Sequence, residues 1–126
     1  MVGSRGERQI GEEIFKSLPA EQVANLAGET DFAGLCQVLR AGCAIAANDS
    51  GVMHLAAALG RPGVAVFGPT DYVSTGPIGE KWECLYVGEE GCSPCFCREC
   101  PKQDARCMSK ITPEMVLAAL DRVLEK

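Results

Sequence analysis

The residues from Asn48 to His54 have the types and spacing that suit a small anion. They follow an uninterrupted apolar run, Cys43 to Ala47, and lead into a helical pattern from Gly51 to Leu59. At such a junction the first amides of the helix have no partner within it, and together with the positive end of the helix dipole they favour a phosphate. Gly51 lets the backbone approach a ligand where a Cβ would clash. His54, in the first turn, can add a hydrogen bond to the same group through its ring, with Ser50 beside it. A pyrophosphate is the natural guest. Asp49 would repel such an anion, so its expected task is to order the loop by accepting amides or to meet a sugar hydroxyl. The plainer reading has Asp49 or Ser50 cap the helix and His54 sit satisfied and partly buried.

A second set of reactive side chains lies at 92–107, where Cys92, Cys95, Cys97, Cys100 and Cys107 crowd together. Cys92-Ser93-Pro94-Cys95 supplies a two-residue spacer, and Cys100 and Cys107 add two thiolates, enough for a tetrahedral zinc site. Cys97 could replace one of them. Structural zinc, disulfide pairing in an oxidised preparation and unpaired thiols stay open; an iron–sulfur cluster suits the spacing less well. Cys36, Cys43 and Cys84 lie in apolar stretches and read as small core residues.

The elements that must position these groups alternate. Met1 to Gly6 reads as the tail of a strand running into a glycine turn, and Glu7 to Ser17 as an amphipathic helix with Ile10, Ile14 and Leu18 on one face. Val23 to Ala27 is a short strand candidate. Thr30 or Asp31 can cap a helix over Phe32 to Ala41, whose residues Phe32, Leu35, Cys36 and Leu39 share a face. Gly63 to Phe67 repeats the buried-strand pattern, and Glu83 to Val87 offers a further strand. Thr112 caps a last helix through Leu124, with Val116, Leu117, Leu120, Val123 and Leu124 as its buried stripe. This order predicts an α/β fold, a Rossmann-like parallel sheet with helices on both faces. In such sheets ligands bind beyond the carboxyl ends of the strands. That rule selects Gly3 to Glu7, Gly28 to Asp31 and Asn48 to His54.

A chain of 126 residues, 47% hydrophobic, suffices for a single domain spanning 1–126. Its 12 basic and 17 acidic residues give a net charge of -5, which argues against nucleic acid as a partner. No apolar run approaches the roughly 18 residues of a membrane helix, and the start lacks the order of a secretory signal, so the expected location is cytoplasmic.

Three stretches carry a family resemblance: Asn25-Leu26-Ala27-Gly28, then Asn48-Asp49-Ser50-Gly51-Val52-Met53-His54-Leu55-Ala56-Ala57-Ala58, then Phe67-Gly68-Pro69-Thr70-Asp71 with Thr75-Gly76-Pro77 beyond. From Gly3 to Lys126 the sequence resembles the carboxyl-terminal half of glycosyltransferase family 9, the ADP-heptose:lipopolysaccharide heptosyltransferases. The resemblance implies a GT-B fold in which this half is the donor-binding domain. It implies that Ser50, Gly51 and His54 hold the diphosphate of ADP-heptose, with Asp49 at the sugar end. Glu7 falls where the family places a carboxylate for the ribose hydroxyls, although a first-turn acid favoured by the helix dipole explains it equally. Thr30 falls near the adenine edge, where a helix cap explains it as well, and Thr70 and Asp71 stand where they could line the sugar or where turn chemistry alone would put them.

The implied reaction moves heptose, with inversion, onto the lipopolysaccharide inner core, with no cofactor or metal in the chemistry. The acceptor site and the base are expected in an amino-terminal half. The near absence of a first strand suggests a piece cut from inside a longer protein, inactive alone. Its work would lie at the cytoplasmic face of the inner membrane, with peripheral membrane association and self-association through an exposed sheet edge as further expectations. The cysteine segment, also a family feature, is expected to pin a loop and not to catalyse, since sugar transfer needs a base and a stabilised leaving diphosphate. Two rival readings are a stand-alone nucleotide- or zinc-binding module and a GT-B transferase for another nucleotide sugar.

Overall fold

A computed structural model describes residues 1–88 and 91–125. The chain forms two compact units, Met1–Val38 and Leu39–Lys126.

The first unit holds a 3-10 turn, Arg5–Glu7, continuous with helix α1 (Arg8–Phe15), a second 3-10 turn at Ala20–Gln22, and the start of α2 (Phe32–Ala41). The expected strand pieces at Met1–Gly3 and Val23–Ala27 are not strands. They run side by side in a short parallel ladder: the amino terminus donates to the Ala24 carbonyl at 2.6 Å, Leu26 N–H to Met1 at 2.9 Å and Gly28 N–H to Gly3 at 3.0 Å. Within this stretch Asn25 turns its side chain toward α1. Its Nδ2 donates to the Arg8 carbonyl at 2.9 Å and its Oδ1 accepts from Ala27 N–H at 3.2 Å, which fastens α1. The anchor of α1 is therefore backbone approach. Gly11 is its buried residue, and a Cβ there would stand 2.8 Å from the Asn25 amide. The isoleucine face predicted as buried is not: Ile10, Ile14 and Leu18 are 56%, 53% and 46% exposed.

The second unit is built on three parallel strands, β1 (Ile45–Asn48), β2 (Gly63–Phe67) and β3 (Trp82–Tyr86), in the order β1-β2-β3. Helix α3 (Gly51–Ala58) joins β1 to β2, α4 (Tyr72–Thr75) lies between β2 and β3, and α5 (Arg106–Ser109) and α6 (Pro113–Leu124) follow. The central strand alternates its side chains between two cores, as strand geometry requires. Ala65 and Phe67 meet Met53 of α3 on one face, with Ala47, Trp82, Cys84 and Tyr86 around them. On the other face Val64 meets Ala119 and Val123 of α6, flanked by Val116, Leu120 and Leu85. Helices thus cover both faces of a Rossmann-like sheet.

Two packing expectations change. The seam of α6 runs 116, 119, 120, 123, so Leu117 and Leu124, one residue round the helix, are 61% and 52% exposed. Cys43 is exposed because β1 starts only at Ile45, leaving Cys43 in the preceding turn, whereas Cys84 joins the core edge as expected.

Candidate functional site

The loop that leaves β1 is shaped by backbone pairing and not by its own side chains. Asp49 N–H donates to the Val66 carbonyl at 3.3 Å, extending the ladder one residue past β1. Ser50 then takes an extended conformation as N-cap of α3, yet its side chain makes no cap hydrogen bond. Among the described residues no side chain is recorded capping the first amides of α3. Gly51 has ordinary backbone geometry, and a Cβ built on it meets nothing within 4 Å, so the fold does not require glycine here. His54 is exposed in the first turn. The plainer reading of these three residues, a serine cap and a satisfied half-buried histidine, does not describe the loop.

Asp49 is half-buried, and among the described residues no loop amide is recorded donating to its carboxylate. Its Oδ2 stands 3.2 Å from the Thr75 hydroxyl, whose proton is shared with the Asp71 carbonyl at 3.0 Å. Thr75 ends α4, and α4 is held from both sides. Asp71 caps it, accepting from Val73 N–H at 3.0 Å and from the Ser74 hydroxyl at 2.6 Å. The hydroxyl of Ser74, then the amide of Val73, keep the Asp71 carboxyl below its ordinary value of 3.8. The Tyr72 ring lies against Phe67 and Tyr86, with centroids at 6.3 and 5.4 Å. Turn chemistry accounts for Asp71. Burial, with the charge of Asp49 next in weight, raises the Cys84 thiol, which places β3 beside the same carboxylate.

In the first unit Gly28 has φ +75°, and a Cβ there would come 2.8 Å from the Arg5 backbone, so only glycine brings these two turns so close. The loops of Glu7 and Thr30 are thereby neighbours. Glu7 Oε2 accepts from the Ser4 amide and hydroxyl, each at 2.6 Å, and the hydroxyl is the larger cause that holds this exposed carboxyl below its ordinary range. Glu7 thus already has a local helix-start task. Thr30 does not: Asp31 caps α2, its Oδ1 accepting from Gly34 N–H at 2.7 Å. Arg8, which the sequence did not single out, joins α1 to the same turn through the Ala27 carbonyl at 3.3 Å and Glu29 Oε1 at 2.5 Å. Thr75 was quoted within the resemblance but given no role; nothing local connects it to Asp49, 26 residues away.

The cysteine segment is attached to the carboxyl end of β2. Pro69 accepts from Cys95 N–H at 2.9 Å and Phe96 N–H at 2.8 Å, and the Ser93 hydroxyl donates to the Gly68 carbonyl. All eight cysteines are free in this structure. Among the described residues no three His, Cys, Asp or Glu side chains already share one ligand position. No helix among them is long and apolar enough to cross a membrane.

Residues 1–106 match the family model described as glycosyltransferase family 9 (heptosyltransferase). The chain belongs to glycosyltransferase family 9. It is 32% identical over 123 residues to lipooligosaccharide heptosyltransferase 2 of Campylobacter jejuni, covering 96% of this chain and 39% of that protein. It is 44% identical over 84 residues to lipopolysaccharide heptosyltransferase 2 of Escherichia coli, 64% of this chain and 24% of that one. The structure of the E. coli ADP-heptose lipopolysaccharide heptosyltransferase II matches 98% of this chain and 35% of its own, with a TM-score of 0.80 at 34% identity. A glycosyltransferase family 9 structure from Veillonella parvula matches with a TM-score of 0.76 at 20% identity, a likeness of fold. This chain thus spans under two fifths of its relatives' length and corresponds to their carboxyl-terminal part.

Proposed function

We propose that this chain is the donor-binding part of a heptosyltransferase that moves heptose from ADP-heptose to the lipopolysaccharide inner core, with inversion and at the cytoplasmic face of the inner membrane. One observation carries the reading: at the exit of β1 the first amides of α3 are left uncapped beside an open Gly51 and an exposed His54. An anion that supplies the missing acceptors fits there without displacing any bond of the fold. The diphosphate meets the amides after Ser50 and the ring of His54, while Asp49, steadied by Thr75, faces the sugar. These groups stabilise the departing diphosphate. In this reading the acceptor and the proton-accepting group are supplied by the part of the relatives that this chain does not cover, and this part alone binds without turnover. A separate proposal, for the first unit taken by itself, is that Thr30 and Glu7 offer contacts to a nucleoside.

Thermal denaturation tests the reading. Millimolar ADP or ADP-heptose raises the melting temperature of the chain by mass action, and Ser50→Ala and His54→Ala remove most of the rise. A rise of equal size in both variants would show that the ligand sits elsewhere. A larger rise with an ADP-sugar other than ADP-heptose would reassign the donor.

A further inference from the structure

Helix α4 is a single turn, yet it is fixed at three points. Asp71 caps its start through the Val73 amide and the Ser74 hydroxyl. The Tyr72 ring lies against Phe67 at the end of β2 and Tyr86 at the end of β3. Gly76 closes it at a place where a Cβ would overlap the Tyr72 carbonyl, so only glycine fits directly after Thr75. This anchoring does not serve to bury the turn itself. Tyr72, Val73 and Ser74 are exposed, Val73 at 78%, and Thr75 is the half-buried residue of the four. What the anchors fix is the place of the Thr75 side chain. Its hydroxyl lies 3.0 Å from the Asp71 carbonyl and 3.2 Å from Asp49 Oδ2. A hydroxyl has one proton to give, and the charged carboxylate is the stronger acceptor of the two. The bond therefore holds one oxygen of Asp49, while among the described residues Oδ1 accepts no hydrogen bond.

We propose that Thr75 is a positioning residue for recognition of the donor sugar: by holding Oδ2 it keeps the Asp49 carboxylate in one orientation, with Oδ1 left to accept from a sugar hydroxyl. This rests on the reading that a diphosphate lies at the start of α3. The charge of Asp49 is unfavourable beside a bare diphosphate, and it becomes favourable only where a hydroxyl donor stands next to it. An uncharged, hydroxyl-bearing sugar supplies that donor, whereas a sugar carrying its own carboxylate would meet like charge. ADP ends at its β-phosphate and brings Oδ1 nothing. A carboxylate already fixed by Thr75 also loses less side-chain freedom when the sugar arrives, which strengthens binding of the sugar without touching the nucleotide. The anchored turn thereby acts on which donor is chosen, through Asp49, and leaves the hold on the diphosphate to α3.

Calorimetric titration of the chain with ADP and with ADP-heptose separates the two contributions. Wild type should bind ADP-heptose more tightly than ADP. Thr75→Val, which keeps the shape and removes the hydroxyl, should weaken ADP-heptose by about fivefold or more while ADP changes by less than about twofold, and Thr75→Ser should restore the preference. In an Asp49→Asn background Thr75→Val should add little, because its action runs through that carboxylate. Should Thr75→Val fail to fold, Thr75→Ala removes the same hydroxyl with less bulk and gives the same comparison. Loss of ADP and ADP-heptose affinity in equal proportion would make Thr75 structural. An undiminished preference for ADP-heptose in Thr75→Val, or a full effect of that change in the Asp49→Asn background, overturns the proposal and leaves the diphosphate site standing. A wild-type chain that binds no ADP through Ser50 and His54 would instead remove the donor reading, and this inference with it.

Discussion

Two strand exits of the second unit begin alike and end differently. After β2, Asp71 sits before a helix and spends its carboxylate on it, one oxygen on the Val73 amide and the other on the Ser74 hydroxyl. After β1, Ser50 stands in the same extended cap position before α3 and gives it no side-chain bond, while Asp49 is turned to Thr75. The first exit is closed by its own chain. The second is left with donors to offer, and the closed exit serves it, because the cap on α4 fixes the helix whose last residue holds Asp49. An acid or a serine before a helix is thus ambiguous by type; what separates a cap from a site is whether the helix amides are already used.

Making the open exit resemble the closed one should break the account most severely. Ser50→Asp places a capping carboxylate where the diphosphate would bind, and charge repulsion with lost amide donors should weaken ADP at least tenfold, since a hydrogen bond to a charged group contributes about 1.5–3 kcal/mol. The same change should raise stability by up to about 1 kcal/mol through the new cap. Calorimetric titration and melting curves would show both. Unaltered ADP affinity would mean the amides of α3 are not the site.

Opening the closed exit should cost stability and spare the phosphate. Asp71→Ala loses the cap on α4 and should lower the melting temperature, with ADP affinity altered less than about twofold. The pH dependence has a definite sign. The folded carboxyl of Asp71 titrates below its ordinary value of 3.8, so its contribution is present above that pH and is lost as the pH falls through the lower folded value. Asp71→Ala should therefore flatten the acid limb of the stability curve. An acid limb identical to wild type would show that the cap contributes nothing.

Much of this fold was legible in the chain, and what was not has physical causes. The bounds of α2 and α6 follow from a capping residue and the helical period, and those of β2 from an apolar run between Pro62 and Gly68. The buried faces were read less well. Gly11 has no side chain to enter a hydrophobic pattern, yet its smallness seats α1 against Asn25, and the isoleucines that do enter it are exposed. The expectation for Ser50, Gly51 and His54 came from one short motif. The partner of Asp49 was not legible there, since Thr75 reaches it only through the β2-to-α4 connection.

The smallest effect is also the most diagnostic of purpose. Gly51→Ala should leave the free chain as stable as wild type or about 0.5 kcal/mol more stable, because the new Cβ meets nothing and alanine is the better helix residue. Yet it should weaken ADP, since the methyl enters the space a phosphate would use. Destabilisation without any change in affinity would make the glycine structural and remove it from the site.

The central claim is that the first amides of α3 are held open for a diphosphate, and amide-resolved NMR of the labelled chain tests it most directly. Titration with ADP should move the resonances of Gly51, Val52 and Met53 most, together with the His54 ring, while Val73 and Ser74 in the capped exit stay near their positions. Shifts concentrated at α4, or unmoved α3 amides at saturating ADP, would contradict it.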